Sequence, residues 1–137
     1  MYWFGLKDIG VGPAYKLEDF INDCAKGTSK AFVTTGALLT AGTHFNLPTQ
    51  EQVLDFISND GLEKPQYINS EAWDKNPEPQ NIIMIDAYSF YSGLLFGYIA
   101  FLFQPKTGKW VIKSFKKNRE IDTRNLAFLG PLTKLLT

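Results

Sequence analysis

The sequence predicts an α+β fold in which a small antiparallel sheet packs against two or three helices. Two observations carry this. The first 60 residues place apolar side chains at helical spacing between turn signals. Residues 81–117 then hold three apolar runs separated by short turns, a C-terminal meander of at least three strands. At 137 residues the chain suits a single globular domain, 1–137. A chain that size buries roughly 68% of the surface it exposes when unfolded. Eleven Phe, six Tyr and three Trp supply a packed core and argue against disorder.

Residues 2–6 read either as a short strand or as an aromatic plug. Gly10, Gly12 and Pro13 mark a turn, and Pro13 suits the first position of a helix running through about Ala25. Leu17, Phe20, Ile21, Cys24 and Ala25 fall on one face of that helix, and Gly27 closes it. Residues 31–41 stay open: Thr34 or Thr35 caps a short buried helix, or residues 31–35 form a strand. Thr49 caps the next helix with Gln52 three residues on. Val53, Leu54 and Ile57 face inward there, and Gly61 ends it. Residues 62–80 contain Pro65, Pro77 and Pro79 among polar groups, which reads as a long surface loop. Strands follow at 82–90, 94–103 and 110–116, the last two joined by a turn at 104–109 with Pro105 and Gly108 in turn positions. A short tail helix with Leu126, Phe128 and Leu129 stops at Gly130-Pro131.

Residues 87–103 carry no charge, and seventeen residues is the lower limit for a membrane-spanning helix. Five of the first seven are Ser, Tyr or Gly, with a break at Ser92-Gly93, so two buried strands fit better. The N-terminus lacks the pattern of a signal peptide, and one cysteine suits a reducing compartment. The expectation is a soluble, cytoplasmic protein with no membrane partner.

Charge is sorted by position. Residues 46–86 hold eight acidic and two basic side chains, whereas residues 104–137 hold eight basic and two acidic. Such asymmetry marks a surface that meets a charged partner. Familiar chemical signatures are missing. Gly10-x-Gly12 lacks the further residues of a dinucleotide or phosphate loop. One His and one Cys cannot assemble a metal site, and no cofactor is expected. Cys24 sits on the apolar face of its helix, which favours core packing over a nucleophile. His44, in the turn-like segment 42–46, reads as a satisfied loop histidine or as a general base.

The basic strand 109–117 is the most suggestive stretch. Strict alternation points Trp110, Ile112 and Ser114 one way and Val111, Lys113 and Phe115 the other. Lys116, Lys117 and Arg119 gather where the strand ends, with Arg124 shortly after. Cations there bind phosphates or stabilise charge building on phosphorus; the plainer reading is an edge strand protected by lysines.

Three stretches also carry a family pattern: Val33-Thr34-Thr35-Gly36-Ala37-Leu38-Leu39, then Asp86-Ala87-Tyr88 with Ser92-Gly93-Leu94-Leu95-Phe96, then Val111-Ile112-Lys113-Ser114-Phe115-Lys116-Lys117. Taken in order, over about residues 15–118, they resemble the MqsR-type messenger-RNA interferase toxins of the RelE-like ribonuclease fold. The resemblance implies a small sheet backed by helices and metal-free RNA cleavage, with a 2′-hydroxyl attacking the adjacent phosphate. The family's terminal lysine falls on Lys116. Its tyrosine falls on Phe96, with Tyr98 two residues on and on the same side of the strand. Its glutamine falls on Met84 or Ile85, and its central-loop lysine has no secure match, with Lys64 and Lys75 nearby. On this reading Lys116 and Arg119 hold the scissile phosphate and Tyr98 transfers a proton. Lys113, Lys117 and Arg124 position the RNA backbone.

Two other readings compete. One is a non-enzymatic immunity or inhibitor-type module, an antitoxin-like partner of a basic protein, binding through the acidic 46–86 surface with Tyr67 and Trp73 as anchors. The other is a small-molecule-binding domain with an aromatic pocket.

Overall fold

The computed structural model of the protein describes residues 12–78 and 80–122. Helix α1 spans Leu17–Cys24, followed by a single 3-10 turn, Gly27–Ser29, and the short strand β1, Ala31–Val33. Helices α2, Thr35–Phe45, and α3, Gln50–Ser58, come next. Four strands then run in sequence: β2, Glu63–Ala72; β3, Met84–Ser92; β4, Leu95–Gln104; and β5, Lys109–Lys117. They form one sheet of order β1-β5-β4-β3-β2, with β1 parallel to β5 and every other pair antiparallel. The α+β expectation holds, with four strands in the meander. The tail helix, the segment 2–6 and Arg124 lie outside the described residues.

The segment left open at 31–41 divides. Ala31 and Val33 pair with Trp110 and Ile112, and Thr34 then caps α2 by accepting the Ala37 N–H at 3.3 Å. Strand β1 is only three residues long, and its outer edge is closed by a side chain. The Gln50 amide accepts from the Val33 N–H and donates to the Val33 carbonyl, both at 2.8 Å, in place of a neighbouring strand. Thr49 and Gln52 form the expected capping box. Helix α1, in contrast, begins at Leu17, so Pro13 belongs to the preceding turn and not to the helix.

All three helices pack on one face of the sheet. Phe20 and Cys24 of α1, Ala37 and Ala41 of α2, and Val53, Leu54 and Ile57 of α3 meet Phe90, Ile99, Phe101, Trp110, Ile112 and Phe115. Phe20 stacks on Phe101 with ring centroids 3.9 Å apart, and the Trp110 indole N–H donates to Asp23 at 2.9 Å. Gly97 has a packing reason: a Cβ there would collide with the Phe90 ring. Burial pushes the Cys24 thiol up to about 12 from an ordinary 9.0, which fits its reading as a core residue.

Two expectations fail here. Residues 62–80 are not one loop, since Glu63–Ala72 is a ten-residue edge strand paired with β3. Its side chains are mostly exposed and its register shifts twice, so no apolar alternation marked it. Strand β5 also breaks strict alternation. Ala100 pairs with Ser114 and Phe101 with Ile112, so one extra residue of β5 bulges between them. Phe115 therefore joins Trp110 and Ile112 on the helix-covered face, where all three are buried.

Asp86, the third residue of β3, is fully buried. Its carboxylate accepts the Ala14 and Tyr15 N–H groups, both at 3.0 Å, and the Ser70 hydroxyl at 2.6 Å. Ser70 thereby uses its proton, so the Tyr67 hydroxyl, 2.7 Å away, donates to Ser70.

Replacing Asp86 with Ala strands three donors, and we expect a loss of about 3 kcal/mol, read as a lower urea midpoint. An unchanged midpoint would remove the carboxylate from its structural role. Cys24 adds a pH signature. The unfolded thiol ionises near 9 while the folded one waits until about 12, so above pH 9 the unfolded state binds fewer protons. Its stabilising effect is whole below pH 9 and lost as pH rises toward 12. Native protein should resist a thiol reagent at mildly alkaline pH until denaturant is added; rapid labelling of native protein would contradict the burial.

Candidate functional site

The sheet face opposite the helices carries the chemically interesting side chains. The register sets Tyr98 of β4 directly beside Lys116 of β5, and the Lys116 ammonium lies 5.5 Å from the centroid of the Tyr98 ring. Two residues chosen from sequence are thus brought together. Burial raises the pKa of Tyr98, and the charge of Glu71 raises it further. Such a phenol keeps its proton at neutral pH, so it serves as a donor and not as a base.

The same face holds a second cation over an aromatic ring. The Lys113 ammonium lies 5.8 Å from the centroid of the Trp73 ring, an arrangement worth about 0.5–2 kcal/mol depending on desolvation. Trp73 follows the edge strand β2, and its N–H donates to the Ile83 carbonyl at 2.8 Å. Lys113 is on β5, three strand spacings away, roughly 14 Å. The indole and the lysine chain therefore reach toward each other across β3 and β4. Ala87, Ala100 and Leu102, on the same face of those strands, are buried. The Trp73 indole N–H is also enclosed, yet has no acceptor among the described residues. An unmet buried donor costs about 1–3 kcal/mol, and groups of that kind call for a reason.

Lys117 and Arg119 do not join this face. Lys117 pairs with Gly97, whose side-chain position points at Phe90 in the core, so Lys117 emerges on the helix side. Its N–H donates to His44 Nδ1 at 3.0 Å. His44 itself sits in the last turn of α2 and not in a loop, where it ties that helix to the end of β5. Arg119 is exposed beyond β5, on a segment fastened by Asn118, whose N–H donates to the Phe96 carbonyl at 2.9 Å. The expected gathering of Lys116, Lys117 and Arg119 is thus corrected: strand alternation divides the two adjacent lysines between faces, and the bulge decides that Lys116 is the one facing away from the helices.

The acidic block is also scattered. Glu51 and Asp55 lie exposed on α3 and Glu63 and Glu71 on β2, while Asp86 is internal. Glu78 pairs with Lys106 at 3.1 Å, so the acidic and basic segments meet at one point. On the helix layer, Thr35, Leu38, Leu39, Gly42, Thr43 and Pro48 line an open apolar depression of about 430 Å³.

The sequence does not reveal Trp73 as a partner of Lys113, because residues 62–80 read as a loop. Its length was the available signal: nineteen residues without structure, 62–80, is unusual inside a compact domain. Among the described residues, no three His, Cys, Asp or Glu side chains are grouped to hold a metal ion, and no helix is long and apolar enough to cross a membrane. No family model, curated protein or solved structure matches this chain.

Proposed function

We propose that the protein is a small endoribonuclease-like toxin that cleaves RNA without a metal, using the sheet face opposite its helices. The observation that carries this reading is the Lys116–Tyr98 pair, a fixed ammonium above a phenol that keeps its proton. In the reaction, the 2′-hydroxyl attacks the adjacent phosphorus and its proton passes to water. Lys116 stabilises the negative charge that builds on the phosphate oxygens. The bond from phosphorus to the 5′ oxygen breaks, and Tyr98 supplies the proton that the departing oxygen needs. The products are a cyclic phosphate and a 5′-hydroxyl, and Tyr98 regains a proton from solvent. Arg119, exposed beyond the end of β5, and Lys117, which emerges on the other face, have little part.

The inhibitor-type reading, with an acidic protein-binding surface over 46–86, has weaker support. That surface is divided between a helix and an edge strand, and it loses Asp86 to the interior and Glu78 to an ion pair. A cognate antitoxin would be expected to cover the Lys116–Tyr98 face.

The test is cleavage of single-stranded RNA by purified protein in EDTA, with end-group analysis. We expect Lys116→Ala to slow cleavage about 10²–10³-fold and Tyr98→Phe about 10²-fold. With Lys113 and Lys116 as the cations of this face, log affinity should fall against log salt with a slope of roughly −1.4, at about −0.7 per phosphate. Cleavage by Lys116→Ala at the wild-type rate, or no cleavage of any RNA, would overturn the reading.

A further inference from the structure

We infer that Trp73 and Lys113 form a second phosphate-recognition subsite, which holds a phosphate flanking the one at Lys116. This rests on the ribonuclease reading for its substrate, and on the structure for its donors. The Trp73 indole N–H is enclosed without an acceptor among the described residues, and the Lys113 ammonium stands over the same ring. The donor and the cation thus belong to one ring, and a single anionic oxygen group that reaches the ring edge would satisfy both. Two acidic side chains of this region are tied up elsewhere, whereas Glu71 lies close enough to act on Tyr98. Asp86 accepts three hydrogen bonds inside the protein, and Glu78 binds Lys106 at 3.1 Å.

Spacing supports the pairing with Lys116. Three residues of strand separate the two lysines, about 10 Å before the bulge shortens it, so both ammonium groups lie within reach of one extended strand of RNA. The faces agree as well. Tyr98 lies opposite Lys116, and Ala100 lies opposite Ser114 next to Lys113. The small Ala87 and Ala100 keep the floor between Trp73 and Tyr98 low. The indole N–H is covered, so a ligand reaches it through a small turn of the ring or of the lysine chain above it. Trp73 begins the turn that leads from β2 to β3, and its backbone is held to the strand by the bond to Ile83. The subsite orients RNA and takes no part in proton transfer.

The indole N–H signals of the full chain in a nitrogen–proton correlation spectrum test this directly. Trp73→Phe assigns the Trp73 signal and removes the donor while keeping a ring. Inorganic phosphate and a nucleoside 5′-monophosphate are the probes. We expect the Trp73 signal to move downfield and saturate with both, more tightly with the nucleotide. Lys113→Met should weaken nucleotide binding roughly tenfold, the factor carried by about one charge-assisted hydrogen bond, and Lys113→Arg should restore most of it. An unmoved Trp73 signal, or equal affinity in Lys113→Met, would overturn the subsite. Equal affinity for the two probes would overturn its assignment to RNA. Cleavage separates the two ideas. RNA cut normally with unchanged KM in both Trp73→Phe and Lys113→Met would defeat the subsite and spare the ribonuclease. Saturable phosphate binding without any cleavage would do the reverse.

Discussion

The carboxylate of Asp86 is the constraint on which much of the architecture depends. An ionisable group in the middle of a sheet is tolerated only when donors surround it. Here they come from two distant stretches of chain, the turn at Ala14 and Tyr15 and the edge strand at Ser70. One side chain thereby docks the approach to α1 and fixes β2 against β3. The consequences spread outward. Tyr15 donates to the Met84 carbonyl at 2.8 Å and sets its ring edge-on to Trp110 at 5.2 Å. Helix α1 then delivers Phe20 onto Phe101. At the other end, a fixed β2 determines where Trp73 leaves the sheet, and so whether it can meet Lys113 at all.

The bulge in β5 is the second constraint, and it decides which chemistry faces outward. Under unbroken alternation, Lys116 would share a face with Trp110 and Ile112 and point at the helices, and Phe115 would point away from them. One extra residue between Ile112 and Ser114 reverses both. Phe115 enters the core, where it meets Phe45 at 5.2 Å and Phe90 at 5.4 Å. Lys116 turns out beside Tyr98. Bulges commonly re-aim a side chain next to a working site, and burial of an aromatic ring here drives the re-aiming. The core and the candidate site are therefore settled by the same backbone irregularity.

What the sequence revealed, and what it hid, follows from the range of the forces involved. Local signals were readable. The Thr49–Gln52 capping box and the turn at 104–109, where Gly108 takes a φ of +71°, are decided within a few residues. The uncharged run resolved into β3 and β4 because central strands are apolar on both sides. Strand β2 was hidden for the opposite reason: an edge strand with Pro65, two register shifts and exposed side chains has no periodic signature. The parallel pairing of β1 with β5 depends on residues nearly eighty positions apart, beyond the reach of any local pattern. At the site, Lys116 and Tyr98 could be paired because one hairpin joins their strands. Trp73 could not, as it meets Lys113 only across two intervening strands.

The charge pattern shows why position along a chain is a poor guide to position in space. Eight acidic side chains in one stretch suggest a surface, but folding sends them to a helix, an edge strand, a turn and the interior. The basic stretch is divided likewise, by the alternation of β5 and by the end of that strand. What survives is a smaller feature, two ammonium groups held over two aromatic rings on one face. A chain of zero net charge has no long-range field to draw in a polyanion. The RNA recognition proposed for this face would therefore rest on short-range contacts, in which partly buried cations act at higher strength than exposed ones. A site built in that way discriminates by geometry more than by charge, and its few cations make its affinity less sensitive to salt than that of a broad basic patch.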